Sequence, residues 1–149
     1  MQWLILLKLV HVLAAIVAVG ANVTYGFWLR LAGRDRERLT FTISSIHWLD
    51  MRLANPAYGL LLITGVLMVA GGLYSFQTGW IAVSSVLYVL AVVIGIVLYA
   101  PAIRRQLAEA RADPNSAAYD AAAARSNQLG IVTLVIVVVI VILMVTKPF

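Results

Sequence analysis

Four long apolar runs constrain the fold of this chain more than any other feature. They cover residues 3–31, 53–73, 80–100 and 129–146. A helix of about 20 apolar residues crosses the hydrocarbon core of a bilayer, so each run is long enough to span a membrane. Of all residues, 63% are hydrophobic and only 11% are charged, which is far from the composition of soluble domains. The sequence predicts an all-α transmembrane protein with a single domain over residues 1–149.

The arginines between the runs predict how the helices are oriented. Nine of them lie in or beside the first and third connections: Arg30, Arg34, Arg36, Arg38, Arg52, Arg104, Arg105, Arg111 and Arg125. Lys8 and Lys147 are the basic residues on the opposite side. Because basic residues accumulate on the cytoplasmic side, we expect an antiparallel four-helix bundle with both termini outside the cytoplasm (N-out/C-out).

Two of the helices are expected to continue beyond the membrane on the arginine-rich side. Residues 39–52 mix apolar and polar side chains and lead into the second run, where Pro56 is expected in a first turn or at a kink. Asp113 and Pro114 form a typical N-cap and first-turn pair, followed by the alanine-rich residues 117–125. We therefore predict that helices two and four extend into the cytoplasm.

Several classes of function are disfavoured by composition. The net charge is +5, but the basic residues flank apolar runs instead of forming a soluble face, so we expect no nucleic-acid partner. The chain has no cysteine, which excludes disulfides and thiolate metal sites. No phosphate-binding loop, HExxH motif or acidic residue lies within the runs. We therefore assign no catalytic residue and expect no carboxylate-based path for protons or cations.

The first run carries polar side chains on one helical face. Lys8, His11, Asn22 and Tyr25 share this face with small residues, namely Ala15, Ala18 and Gly26. A helix with three apolar faces and one small, polar face is typical of a membrane helix that packs on partners through the polar side. We expect any function to depend on this stripe.

Trp3, Leu73, Trp80 and Lys147 are taken as markers of the outer membrane surface. Residue counts from these markers toward the membrane interior place the polar side chains in two layers. The outer layer contains His11, Thr64, Gly65 and Tyr88, and the inner layer contains Asn22, Asn55, Tyr99 and Gln128. The inner layer is interpreted as hydrogen bonding between helices. In the second run, Tyr58, Gly65 and Gly72 recur every seven residues, which predicts a seam for close helix contact.

Three interpretations are open for His11: a packed histidine bonded to Tyr88, Thr64 or a backbone carbonyl, a heme or metal ligand, or a proton relay. Lys8 lies one turn away on the same face. It either extends to the membrane surface or binds an anionic group such as a porphyrin propionate. His47 lies roughly 20 Å or more from the depth of His11. A heme on His11 would thus need a non-histidine ligand, an open position or a second subunit.

Longer stretches of the chain resemble a known family. They read LLKLVHVLAAIVAVGANVTYGFWLRLA, NPAYGLLLITGVLMVAGG, WIAVSSVLYVLAVVIGIVLYAPAIRR and ILMVTKP. They are similar to an uncharacterised family of bacterial predicted integral membrane proteins, domain of unknown function 2269, and the ending MV-x-KP is the most specific part. This resemblance implies a multi-pass protein of the bacterial inner (cytoplasmic) membrane.

A more distant resemblance concerns Lys8 and His11. Their K-x-x-H spacing is similar to the first helix of HemJ-type protoporphyrinogen oxidases, and copper-resistance D-type membrane proteins have a comparable bundle. In the oxidases this histidine is the residue associated with heme b. The resemblance therefore implies a candidate role for His11 as the iron ligand. Because Lys8 shares its helix face and Tyr88 its depth, we take His11, Lys8 and Tyr88 as a hypothetical heme site. The oxidases have a basic residue in the third span, but here none lies between Trp80 and Arg104, so protoporphyrinogen oxidation is not expected.

Three functional hypotheses follow. The first is a heme b-binding or redox membrane protein with His11 as axial ligand. The second is a non-enzymatic accessory protein that forms homo-oligomers or docks on a larger membrane complex, with His11 as a packed residue. The third is a small-molecule or ion transporter, which is disfavoured because the chain shows no inverted repeat. In each case the lipid bilayer is a partner.

Overall fold

The computed structural model describes residues 2–148 and contains four long helices. These are α1 (Gln2–Ala32), α2 (Arg36–Ala70), α3 (Gly79–Ala112) and α4 (Ala117–Thr146). Each is long and apolar enough to cross a membrane, and no strand occurs among the described residues. The predicted all-α transmembrane fold is confirmed.

Local sequence signals explain where the helices begin and end. Gly33 follows α1 with φ +62°, a left-handed conformation that glycine adopts without strain. The Asp35 carboxylate accepts the Arg38 N–H at 2.8 Å and caps the start of α2. At the start of α4 the cap is Ser116, whose hydroxyl accepts the Tyr119 N–H at 3.1 Å. The predicted cap Asp113 was therefore three residues too early.

Helix α3 continues beyond the predicted run of residues 80–100, through Pro101 to Ala112. It therefore extends on the arginine-rich side, as α2 and α4 do. At its other end, α2 stops at Ala70, and Gly72 has a φ of +75° in the turn that follows. Gly72 is therefore not part of the helical seam that its spacing predicted.

Each of the two inner prolines lies inside a continuous helix and follows a widened turn. The widened turns are Asp50–Ala54 before Pro56 and Ile94–Tyr99 before Pro101. In both, an amide bonds to the carbonyl five residues earlier, as in the Asn55 N–H that donates to Asp50. Proline has no N–H, and its ring crowds the carbonyl four residues before it. A π-type turn lets the helix continue despite that conflict.

One end of the molecule is marked by aromatic residues, and we call it the aromatic end: Trp3, Tyr74, Trp80 and Lys147 lie there. The Lys147 Nζ is 5.6 Å from the centroid of the Tyr74 ring and 5.7 Å from that of Trp80. A Cβ on Gly71 would lie 2.6 Å from Cη2 of Trp3. The opposite end, with the two arginine-rich connections, is the arginine end.

The helices pack most closely at the arginine end. A cluster of buried side chains holds α1, α2, α3 and α4 together there: Ala32, Leu39, Ile43, Ile103, Ala110 and Tyr119. Toward the aromatic end, no Cα of residues 55–70 lies within 8 Å of a Cα of residues 79–93. In that half, α1 packs on α2 and α3 packs on α4, while α1 also contacts α4.

Candidate functional site

His11 packs against α2 at the level that its depth predicted. Its Nδ1 lies 2.8 Å from the Oγ1 of Thr64, which is 3% exposed. A Cβ on Gly65 would lie 3.5 Å from the His11 Cε1. The glycine therefore leaves room for the imidazole beside the backbone of α2. The predicted outer layer is correct for these three residues.

The hydrogen bonds of Thr64 favour one tautomer of His11. The Thr64 hydroxyl lies 2.7 Å from the Leu60 carbonyl of its own helix, to which it can donate. A hydroxyl has one proton and two acceptor positions, so a Thr64 that donates to Leu60 accepts from His11. In this tautomer Nδ1 carries the proton, and Nε2 keeps a free lone pair. This is the tautomer that a histidine needs to coordinate iron through Nε2.

The other two predicted site residues differ in their placement. Lys8 is exposed, one helical turn from His11 on α1. Tyr88 of α3 does not bond to His11; its hydroxyl donates to the Tyr58 carbonyl of α2 at 2.6 Å. Since Tyr58 lies six residues before Thr64, this bond crosses to α2 about 9 Å farther from the aromatic end. The structure thus pairs His11 with Thr64, and Tyr88 with a different part of α2.

The inner layer is built from partners that depth alone did not identify. Asn22 donates from Nδ2 to the Tyr58 hydroxyl at 2.5 Å, which joins α1 to α2. Asn55 and Gln128 are both exposed, and Asn55 bonds to the Met51 sulfur of its own helix at 3.6 Å. Neither side chain therefore joins the inner layer, because a residue count gives the depth of a residue along its helix but not the face on which its side chain lies.

Asp50 is the residue that sequence reasoning missed. Its Oδ1 accepts a hydrogen bond from the Tyr25 hydroxyl at 2.9 Å, and Tyr25 is 5% exposed. The sequence placed Asp50 in the predicted extension of helix two, and α2 is continuous there as predicted. The residue pattern gave no signal that this part of α2 turns Asp50 toward Tyr25 of α1.

The donor set limits the kind of metal site that this chain can form. Within residues 2–148, no three His, Asp or Glu side chains are arranged to hold a metal ion. His47 lies on α2 toward the arginine end. His11 packs beside Thr64, which is seventeen residues farther along the same helix. A bare metal ion therefore has no cage of side chains, whereas a heme, whose porphyrin supplies four nitrogens, requires just one axial ligand.

Comparison with known proteins places the chain in a family. The family described as predicted integral membrane protein (DUF2269) matches residues 5–148. The chain belongs to this family. Searches of curated proteins and of solved structures found no match. Membership in DUF2269 confirms an integral membrane protein, and the match includes both His11 and Lys147.

Proposed function

We propose that this DUF2269 protein binds one heme b, with the Nε2 of His11 as an axial ligand. The observation that carries the proposal is the hydrogen bond between Nδ1 and Thr64, which leaves the Nε2 lone pair free. Iron-ligating histidines are typically oriented by a bond from their other ring nitrogen. An ionisable side chain on the inner face of a membrane helix is also costly to retain without a role.

Lys8 is proposed to bind a heme propionate. It follows the same face of α1 toward the aromatic end, one turn from His11, and its side chain is exposed. An ammonium on a flexible stem can reach a carboxylate at the membrane surface. The second axial position is proposed to be open or filled by a second copy of the chain, since His47 lies at the other end of α2. Bound heme would supply one-electron chemistry.

The same proposal includes a location and an orientation. We place the protein in the inner membrane of a bacterium, with the arginine end in the cytoplasm and the aromatic end outside. His11 and Lys8 would then lie near the outer surface. The arginines of the two connections support this orientation, because they are exposed at the end opposite Lys8 and Lys147.

A second candidate is an accessory membrane protein without a cofactor. Its support is that Thr64 and Gly65 already satisfy and enclose part of the His11 ring. In addition, a Cβ on Gly20 or Gly59 would meet nothing within 4 Å, so both helices have surfaces that another helix can approach closely. This protein would form a defined oligomer or bind to a larger complex.

An absorption spectrum distinguishes the two candidates. The protein is produced with ample heme supply, purified in detergent and compared with His11→Ala and His47→Ala. We expect a Soret band in the natural protein and in His47→Ala, and its loss in His11→Ala. Lys8→Gln should weaken heme retention in a hemin titration without abolishing the band.

Two results would reject the heme proposal: a colourless protein that does not take up hemin, or a His11→Ala spectrum identical to the natural one. Light scattering on the same samples then tests the second candidate. A defined oligomer that persists in His11→Ala supports an accessory role. A monomeric protein that binds no heme contradicts both candidates.

A further inference from the structure

Asp50 is a carboxylate held within the helix bundle without a cationic partner. The Tyr25 hydroxyl donates to its Oδ1 at 2.9 Å. Among residues 2–148, the ion pairs within 4.0 Å are Arg34–Asp120 and Arg105–Glu109, so no lysine or arginine neutralises Asp50. A partly buried charge normally has a partner or a function.

The groups around Asp50 come from three helices and offer mainly neutral hydroxyls. Tyr25 lies on α1, Tyr99 on α3, and His47 and Tyr58 on α2, all within range of electrostatic interaction with Asp50. Of these, only His47 can carry a positive charge. Tyrosine hydroxyls donate hydrogen bonds but do not cancel a charge, so a proton is the simplest means of neutralising this carboxylate.

Both widened turns of the bundle meet this site. Asp50 is the first residue of the turn Asp50–Ala54, and Tyr99 is the last residue of the turn Ile94–Tyr99. Each turn is followed by a proline two residues later. Single π-type turns within α-helices are frequently located at functional sites. Here they place Asp50 and Tyr99, from two helices, within range of electrostatic interaction with each other and with Tyr25.

We propose that Asp50 is a proton-binding site within the bundle. A proton from water is transferred to a carboxylate oxygen of Asp50, the carboxylate becomes a neutral acid, and no other bond changes. The Tyr25 hydroxyl stabilises the deprotonated form through its bond to Oδ1. This site is separate from His11, which packs against Thr64, fourteen residues farther along α2.

Infrared difference spectroscopy on the full-length protein in lipid tests the proposal. Samples are stepped between about pH 5 and 8, and the carbonyl stretch of a protonated carboxylic acid is followed. The variant is Asp50→Asn, and the matched control is Asp120→Asn, because Asp120 is 52% exposed and ion-paired with Arg34. We expect a titrating band that is lost in Asp50→Asn and retained in Asp120→Asn and His11→Ala.

Tyr25→Phe provides a second test that does not depend on the folding of Asp50→Asn. Without the hydroxyl that favours the deprotonated form, the band should titrate at a higher pH. The proposal is overturned if the band persists in Asp50→Asn, or if Tyr25→Phe leaves the midpoint unchanged. Replacing choline chloride by sodium chloride at equal ionic strength should have no effect. A loss of the band with sodium would instead identify a metal cation as the ligand.

Discussion

The Nδ1 of His11 lies 2.8 Å from the Oγ1 of Thr64, in a bond that joins α1 to α2 near the aromatic end. The Thr64 hydroxyl donates a hydrogen bond to the Leu60 carbonyl, so His11 and Thr64 form a chain of hydrogen bonds that ends on the backbone of α2. The bond orients the imidazole and leaves Nε2 available. Both candidate functions depend on it, one for ligand orientation and the other for helix packing.

Thr64→Val should destabilise the bundle, because it leaves the His11 Nδ1–H without an acceptor. The expected loss is about 1 kcal/mol in the free energy of unfolding, a typical value for a bond between membrane helices. Reversible unfolding in mixed micelles measures it. Thr133→Val is the control, since the Thr133 hydroxyl bonds to the Leu129 carbonyl of its own helix. Equal losses in both variants would contradict a special role for the Thr64 bond.

If heme binds as proposed, Thr64→Val should also reduce heme affinity by about 10-fold or more, as expected for a group that orients an axial histidine. Thr64→Ser keeps the hydroxyl and should restore most of the affinity. A hemin titration followed at the Soret band gives both values. An unchanged affinity in Thr64→Val would show that the bond does not orient the ligand.

Alanine substitutions at two glycines should have opposite effects. At Gly71 a Cβ would lie 2.6 Å from Cη2 of Trp3 and 2.9 Å from Cδ2 of Leu4, so Gly71→Ala must displace the start of α1 and should cost about 1–3 kcal/mol. At Gly20 a Cβ meets nothing within 4 Å, and Gly20→Ala should stabilise the helix by about 0.5–1 kcal/mol. Thermal unfolding of both variants in detergent checks the opposite signs.

Ser126→Ala should be costly at the arginine end. The Ser126 hydroxyl donates to Oε1 of Gln106 at 2.5 Å, and both side chains are 3% exposed. Removing the donor leaves a buried acceptor unpaired, with an expected loss of about 1–3 kcal/mol. In the control Ser85→Ala, the lost bond is to the Ile81 carbonyl of the same helix, and the effect should be smaller. Denaturant unfolding of the two variants makes this comparison.

The absence of cysteine from the chain allows the orientation to be tested with single introduced thiols. Gln77→Cys lies in the exposed turn between α2 and α3, and Asn115→Cys lies in the exposed turn before α4. With both termini outside, a membrane-impermeant maleimide should label intact cells at position 77 and should label position 115 after the membrane is opened. The reverse pattern would contradict the orientation predicted from the arginines.

The parts of the site that could be predicted are those that depend on regular helical geometry. A count of residues along ideal helices placed His11 beside Thr64 and Gly65, because both segments are regular between Trp3 and His11 and between Tyr58 and Ala70. The same count failed for Asn55 and Gln128, whose side chains are exposed. A residue count gives depth along a helix but contains no information on the face where the side chain lies.

Asp50 shows a different limit of the sequence. Its charge and its distance from the apolar run suggested a solvent-exposed extension of helix two, and a hydropathy pattern cannot show which face of that extension packs on α1. The pairing of Asp50 with Tyr25 depends on where two helices meet. The hydrogen-bond partner of Tyr88 could not be predicted from matched depth either. Its long side chain crosses to α2 and donates to the Tyr58 carbonyl.

The sequence by itself determined the class of this protein. In a membrane, the backbone hydrogen bonds of apolar runs can be satisfied only in helices or closed barrels. Runs of this length are helices. The sequence also placed His11 and Thr64 at one level. Only the tertiary structure decided that the His11 Nδ1 faces Thr64, that Tyr88 bonds to the Tyr58 carbonyl, and that Asp50 faces Tyr25. These features depend on rotations about the helix axes and on contacts between helices, and neither is encoded in the spacing of residues along one helix.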